Sequence, residues 1–181
     1  PIQPAEELIV DNSKLTVYSK LCRAVNTKKM TVTNNSVVDI TIESGNSAIY
    51  ATESLVVENS TLKAVHMLSV DTDFDRDLIA SATGSILFKN SNVTLARGET
   101  DSSYMVNPIR IEEAATLTID GGTVNLTTDT EDGAYGLQLD SGATATIKGN
   151  ANVNITGLVG IVDDNALTVE SGTLTITGDE S

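Results

Sequence analysis

Short runs of alternating apolar and polar residues recur along this chain, and the recurrence predicts its architecture. Seven segments align: LIVDNSKLTV from Leu8, MTVTNNSVVDI from Met30, LVVENSTLKAV from Leu55 and ILFKNSNVTL from Ile86. LTIDGGTVNL from Leu117, ATIKGNANVNI from Ala145 and LTVESGTLTI from Leu167 complete the set. Their starts lie 22, 25, 31, 31, 28 and 22 residues apart, so a fixed framework carries loops of varying length. The first column holds Leu8, Met30, Leu55, Ile86, Leu117, Ala145 and Leu167. Two residues on stand Val10, Val32, Val57, Phe88, Ile119, Ile147 and Val169. A period of two, rich in β-branched residues, is a strand with one face buried.

A corner follows at Asn12, Asn34, Asn59, Asn90, Gly121, Gly149 and Ser171. Asn and Gly tolerate left-handed backbone, so this column predicts a sharp bend. A second apolar alternation comes next, as in Leu15/Val17, Val93/Leu95 and Leu174/Ile176, with one extra residue before Val38/Ile40 and Val153/Ile155. A third short strand closes most repeats: Ala24-Val25, Ala48-Ile49, Ile109-Arg110-Ile111, Gly136 to Leu139 and Gly160-Ile161-Val162. Three short strands per repeat predict an all-β, right-handed parallel β-helix of about six to seven turns, stacked at about 4.8 Å. Six turns make a rod about 29 Å long at that spacing. A sandwich of antiparallel strands explains the alternation but not the recurrence of the same residue types at each column. PIQPAEE reads as an N-terminal linker or cap over residues 1–7, and residues 8–181 as one β-helix domain whose repeat is open to continuation past the C-terminus. Pro1 is no initiator and no basic-then-apolar signal segment follows it, so the chain reads as a mature or excised piece.

Charge narrows the partners. Asp and Glu outnumber Lys and Arg 25 to 11, a net charge of −14, which argues against a nucleic-acid phosphate backbone as partner. No apolar run has the length of a membrane span. One Cys and one His supply neither a disulfide framework nor a Cys/His zinc set, and leave the oligomeric state and redox compartment open. Cys22, in LCRAV, reads as a small buried apolar residue, and His66, in AVHM, as a packed or edge histidine rather than a catalytic one. The column before the corner alternates in sign from Glu58 through Lys89, Asp120 and Lys148 to Glu170, which suits cross-turn pairing on an outer ladder.

Two acidic groupings are candidate metal sites. DTDFDRD resembles the start of a calcium loop, but Arg76 stands where the turn glycine belongs and Ala82 where the closing Glu belongs. Loop acids from neighbouring turns give the candidates Asp73, Asp75, Asp101, Asp129 and Asp132. Aligning PIRIE, GLQLD and GIVDD gives a second set, Glu112, Asp140 and Asp164, one turn apart. Stacked carboxylates repel unless they protonate, splay or share a cation such as Ca2+. Solvated acids on an acidic surface are the competing reading of both sets. Beside the second set, Arg110, Gln138 and Val162 form an outward column with Tyr50 further along it, so Tyr50, Arg110 and Gln138 are the ligand-binding candidates.

TIDGGTVNLTTDTEDGAYGLQLDSGATATIKGNANVNITG and LTVESGTLTITG resemble right-handed parallel β-helix carbohydrate-binding domains of secreted bacterial proteins, within the pectate-lyase-like superfamily. The resemblance covers residues 86–181 well and the first half more weakly. It implies a secreted or cell-surface location and an anionic polysaccharide partner held with calcium. Scarce aromatics (3%, no Trp) leave no stacking platform for neutral sugars. The expected function is therefore a non-catalytic polysaccharide-binding module. A structural stalk or adhesin segment is the alternative, and a polysaccharide lyase, resting on Arg110 beside Glu112, comes third. No catalytic set is identified.

Overall fold

The structure is a computed structural model that describes residues 2–4, 6–44, 46–67, 77–81, 84–98, 106–112, 114–128, 135–157, 159–163 and 166–178. Its strands are β1 (Glu7–Asp11), β2 (Lys14–Ser19), β3 (Val25–Thr33), β4 (Val37–Ile42), β5 (Ser47–Glu58) and β6 (Thr61–His66). Then come β7 (Asp77–Ser81), β8 (Ser85–Arg97), β9 (Asn107–Ile111), β10 (Thr116–Thr127) and β11 (Tyr135–Leu139). β12 (Thr144–Lys148), β13 (Ala151–Thr156), β14 (Val159–Asp163), β15 (Ala166–Val169) and β16 (Gly172–Thr177) end the order, with no helix among the described residues. All paired strands are parallel, and they wind into a right-handed β-solenoid with three faces.

The hydrophobic columns are the stacking register. On the first face Leu8 pairs Met30, which pairs Leu55, then Ile86, Leu117, Ala145 and Leu167. On the second, Leu15 leads through Val38, Leu62, Val93, Val124 and Val153 to Leu174. On the third, Val25 leads through Ile49, Ile79, Ile109 and Leu137 to Ile161. Ile2 bridges to Val25 below this column. Inward residues of all three faces meet in one apolar core, with Phe88, Met30, Ile40 and Leu55 wholly buried.

Left-handed backbone makes the corners. Asn12, Asn34, Asn59 and Asn90 have φ of 44°, 57°, 49° and 48°, and Gly121 and Gly149 take over the position at 76° and 64°. In the last repeat Gly172 (φ 112°), rather than Ser171, has the positive angle. A serine one or two residues after each Asn locks the corners together. Ser36 N donates to Ser60 Oγ (3.1 Å), and Ser60 N to Ser91 Oγ (3.2 Å). The single Ser91 O–H in turn lies within hydrogen-bond reach of Val57 O (3.0 Å) and Lys89 O (2.8 Å). Backbone groups turned away from the ladders at a bend need such partners when buried.

The charge column before the corner stacks as far as Lys148, and its first pair, Glu58 with Lys89, is closed. Glu58, Lys89, Asp120 and Lys148 stand in register, and Lys89 Nζ lies 2.8 Å from Glu58 Oε1. That hydrogen bond, helped by the charges of Glu58 and Asp120, raises the Lys89 pKa above the ordinary lysine value. His66 is wholly buried at the end of β6. Cys22 differs from expectation and is exposed. It sits in the bend between the second and third faces, outside any inward column, where its carbonyl accepts from Ser19 Oγ (2.7 Å).

Candidate functional site

The third face carries an outward polar cluster tied together by side-chain hydrogen bonds. Its strands are short, and alternation sends Ile109, Ile111, Leu137 and Leu139 inward while Arg110 and Gln138 face out half-buried, with Asn107 half-buried at the start of β9. The outward column runs Asn26, Tyr50, Ala80, Arg110 and Gln138 by pairing register, and Gln138 pairs in register with Val162 of β14. Tyr50, Arg110 and Gln138 thus share one column. Ala80 separates Tyr50 from Arg110, and Tyr50 has its own partner, the Arg23 guanidinium carbon 3.9 Å from its ring centroid. Such a cation over an aromatic face contributes about 0.5–1 kcal/mol at exposed sites.

Asp140 is the centre of the cluster. Its Oδ2 accepts from Arg110 Nε at 3.0 Å, and its Oδ1 from Gln138 Nε2 at 2.8 Å. Gln138 Oε1 accepts from Asn107 Nδ2 (3.1 Å), which also donates to Asp77 Oδ1 (3.0 Å). Asn107 Oδ1 closes the chain by accepting from Tyr135 N at 3.0 Å. Hydrogen bonds therefore fix side chains from β7, β9 and β11 relative to one another. Partial burial pulls the Arg110 pKa down, but the Asp140 hydrogen bond and charge, with Asp77 and Glu112 behind them, lift it above the ordinary arginine value.

The strand carboxylates expected as metal ligands are placed differently from one another. Glu112 follows β9 and Asp140 follows β11, and Asp140 N donates to Ile111 O at 2.9 Å, so the two ends are adjacent as the alignment implied. Asp140, however, spends both carboxylate oxygens on Arg110 and Gln138. Charge repulsion in this column is relieved by a guanidinium from the neighbouring strand. Among the described residues no group of three or more His, Cys, Asp or Glu side chains is arranged to hold a metal ion. Asp164 and the loop candidates Asp73, Asp75, Asp101, Asp129 and Asp132 lie outside the described residues.

Two participants stand outside the candidate sets, although Asp77 closes the DTDFDRD run. Asp77 belongs to an acidic run that reads as a loop, but it opens β7, is 5% exposed and pairs in register with Asn107. Asn107 joins Asp77 to Gln138. Setting DLIAS beneath NPIRI reveals both, because Leu78-Ile79 repeats the apolar pair of Pro108-Ile109. No family model matches the chain, and neither the curated proteins nor the solved structures contain a significant match.

Proposed function

We propose that this chain is a non-catalytic polysaccharide-binding module of a secreted or cell-surface bacterial protein, and that its third face meets an acidic glycan with calcium as counter-ion. The observation that carries this reading is the shelf of Asn107, Arg110, Gln138 and Asp140, whose planar polar groups are held by one another at 2.8–3.1 Å. Preorganised amide, guanidinium and carboxylate groups contact sugar hydroxyls with little ordering cost. Register along the rod matches a linear polymer better than a compact ligand. Asp77, Glu112 and Asp140 outweigh Arg110 in charge there, so a polyuronate needs a cation between its carboxylates and those of the protein. Calcium has that role, and the described residues contain no preformed calcium centre.

A catalytic reading gains no support from this geometry. Arg110, the candidate base, has its Nε committed to the Asp140 carboxylate, which favours the charged guanidinium. A stalk is the second reading, favoured by the continuous core and by outward ladders that pair internally, as Glu58 does with Lys89. A panel of neutral and acidic polysaccharides, run by affinity electrophoresis with calcium and with chelator, separates these. Retardation by polyuronate that chelator abolishes supports the module; no retardation by any glycan leaves the stalk.

A further inference from the structure

The second face changes character along the rod. Its outward columns hold Lys14, Asp39 and Lys63 on β2, β4 and β6. Above them, register continues the central column as Thr94, Asn125, Asn154 and Thr175. The flanking columns begin at Asn92 and Ala96 and continue through Thr123 and Thr127. They run on through Asn152 and Thr156 to Thr173 and Thr177. Three columns on four strands make twelve outward positions, eleven of them Thr or Asn and none charged, in a chain whose net charge is −14. These side chains are exposed or half-exposed. Stacking at about 4.8 Å, with about 6.6 Å between alternate residues, sets them in rank and file over about 14 by 13 Å.

A groove adjoins this array. Asn35, Asn59, Thr61, Asn90 and Asn92 line an open depression of about 320 Å³ along the corner. Asn92 belongs to both groove and array. Positive φ at Asn59 and Asn90 (49° and 48°) fixes the corner that presents their amides. On the flat face Asn154 Nδ2 donates to Asn125 Oδ1 at 2.9 Å, which orders the ladder and uses one of the two N–H donors of Asn154. Threonine side chains are stiff about χ1, so the hydroxyls are ordered as well.

We propose that this face is a second binding surface, separate from the third face, for an uncharged, hydroxyl-rich polysaccharide in extended form. Charge complementarity selects the occupant. A polyanion finds no cation in the array and a polycation no acid, whereas a neutral glycan meets donors and acceptors throughout. The centre of a protein interface favours aromatic and apolar groups, and Ala96 is the one apolar residue among the twelve. Weak contacts repeated along a polymer sum to retention without an aromatic platform.

The test is retention of the 181-residue chain on microcrystalline cellulose, insoluble xylan and an insoluble β-glucan. The wild type is expected to be held by at least one of them. Thr123→Lys with Asn154→Lys should weaken retention about tenfold or more, because a charge buried against a neutral partner is unpaired. Thr94→Val, Thr123→Val and Thr156→Val together keep the strand preference, remove hydroxyls and should lower retention too, with circular dichroism verifying the fold. Excess soluble polyuronate in calcium should leave it unchanged, which separates this surface from the third face. Failure of the wild type to bind any of the three overturns the proposal. So does retention indifferent to the lysine and valine variants, or lost when polyuronate is added. Faceting of ice crystals without glycan retention overturns it in favour of a water-ordering surface.

Discussion

Replacing Asn90 with Val tests whether backbone conformation maintains the corner column. Asn90 has φ of 48°, a region where a Cβ crowds the following carbonyl at about 1–2 kcal/mol per residue and where β-branching is worst. Its amide also reaches the next turn, since a Cβ built on Gly121 would lie 2.5 Å from Asn90 Oδ1. Loss of Asn tolerance and of that contact together predicts a destabilisation of about 2 kcal/mol, within the range of about 1–3 kcal/mol for strained backbone. Asn90→Ala should cost about 1 kcal/mol by the same logic. Asn90→Gly relieves the strain but adds chain entropy, and should fall within about 0.5 kcal/mol of wild type. Urea unfolding followed by circular dichroism gives the three values on one scale. Equal midpoints for the Val and Gly variants would refute the backbone explanation.

Other perturbations probe the site and the stack. Arg110→Ala leaves Asp140, Asp77 and Glu112 without their guanidinium and should destabilise by about 1–2 kcal/mol, an effect that shrinks in high salt, as denaturation at two ionic strengths would show. Gly136→Ala places a Cβ 2.1 Å from Ile155 Cγ2 and 2.7 Å from Gly160 O, so it should lower stability by about 1–3 kcal/mol; a neutral result means the third face yields easily. Because the Lys89 pKa is raised in the folded state, its pairing with Glu58 contributes below the unfolded lysine value of about 10.4 and is lost as pH rises through the folded value. Glu58→Gln should therefore lower the denaturant midpoint near neutral pH and match wild type in strong alkali.

The core was legible in sequence because alternation and corner residues are local signals that repeat. Columns from Leu8 to Leu167 and from Leu15 to Leu174 are the pairing register. β7 was obscured because Asp77 continues an acidic run, and a buried acid at a strand start looks like a loop residue until its partner is known. That partner, Asn107, is 30 residues away, a separation set by loop length and not by any local pattern. Orientation was illegible too: an alignment places Asp140 beside Glu112, but only the fold shows its carboxylate turned to Arg110 and Gln138. Cys22 was misread because an apolar neighbourhood in sequence does not reveal that the bend carries it outward.

The most direct test of the proposed function is calorimetric titration of polyuronate oligosaccharide into the chain in millimolar calcium, repeated with Gln138→Ala and with chelator. Gln138 bridges Asn107 and Asp140 on the outward shelf, and its side chain takes no part in the core. Heat of binding is expected for the wild type in calcium, with a weaker signal for the variant and none in chelator. Absence of heat for the wild type, or the same affinity for the variant, would contradict the proposed function.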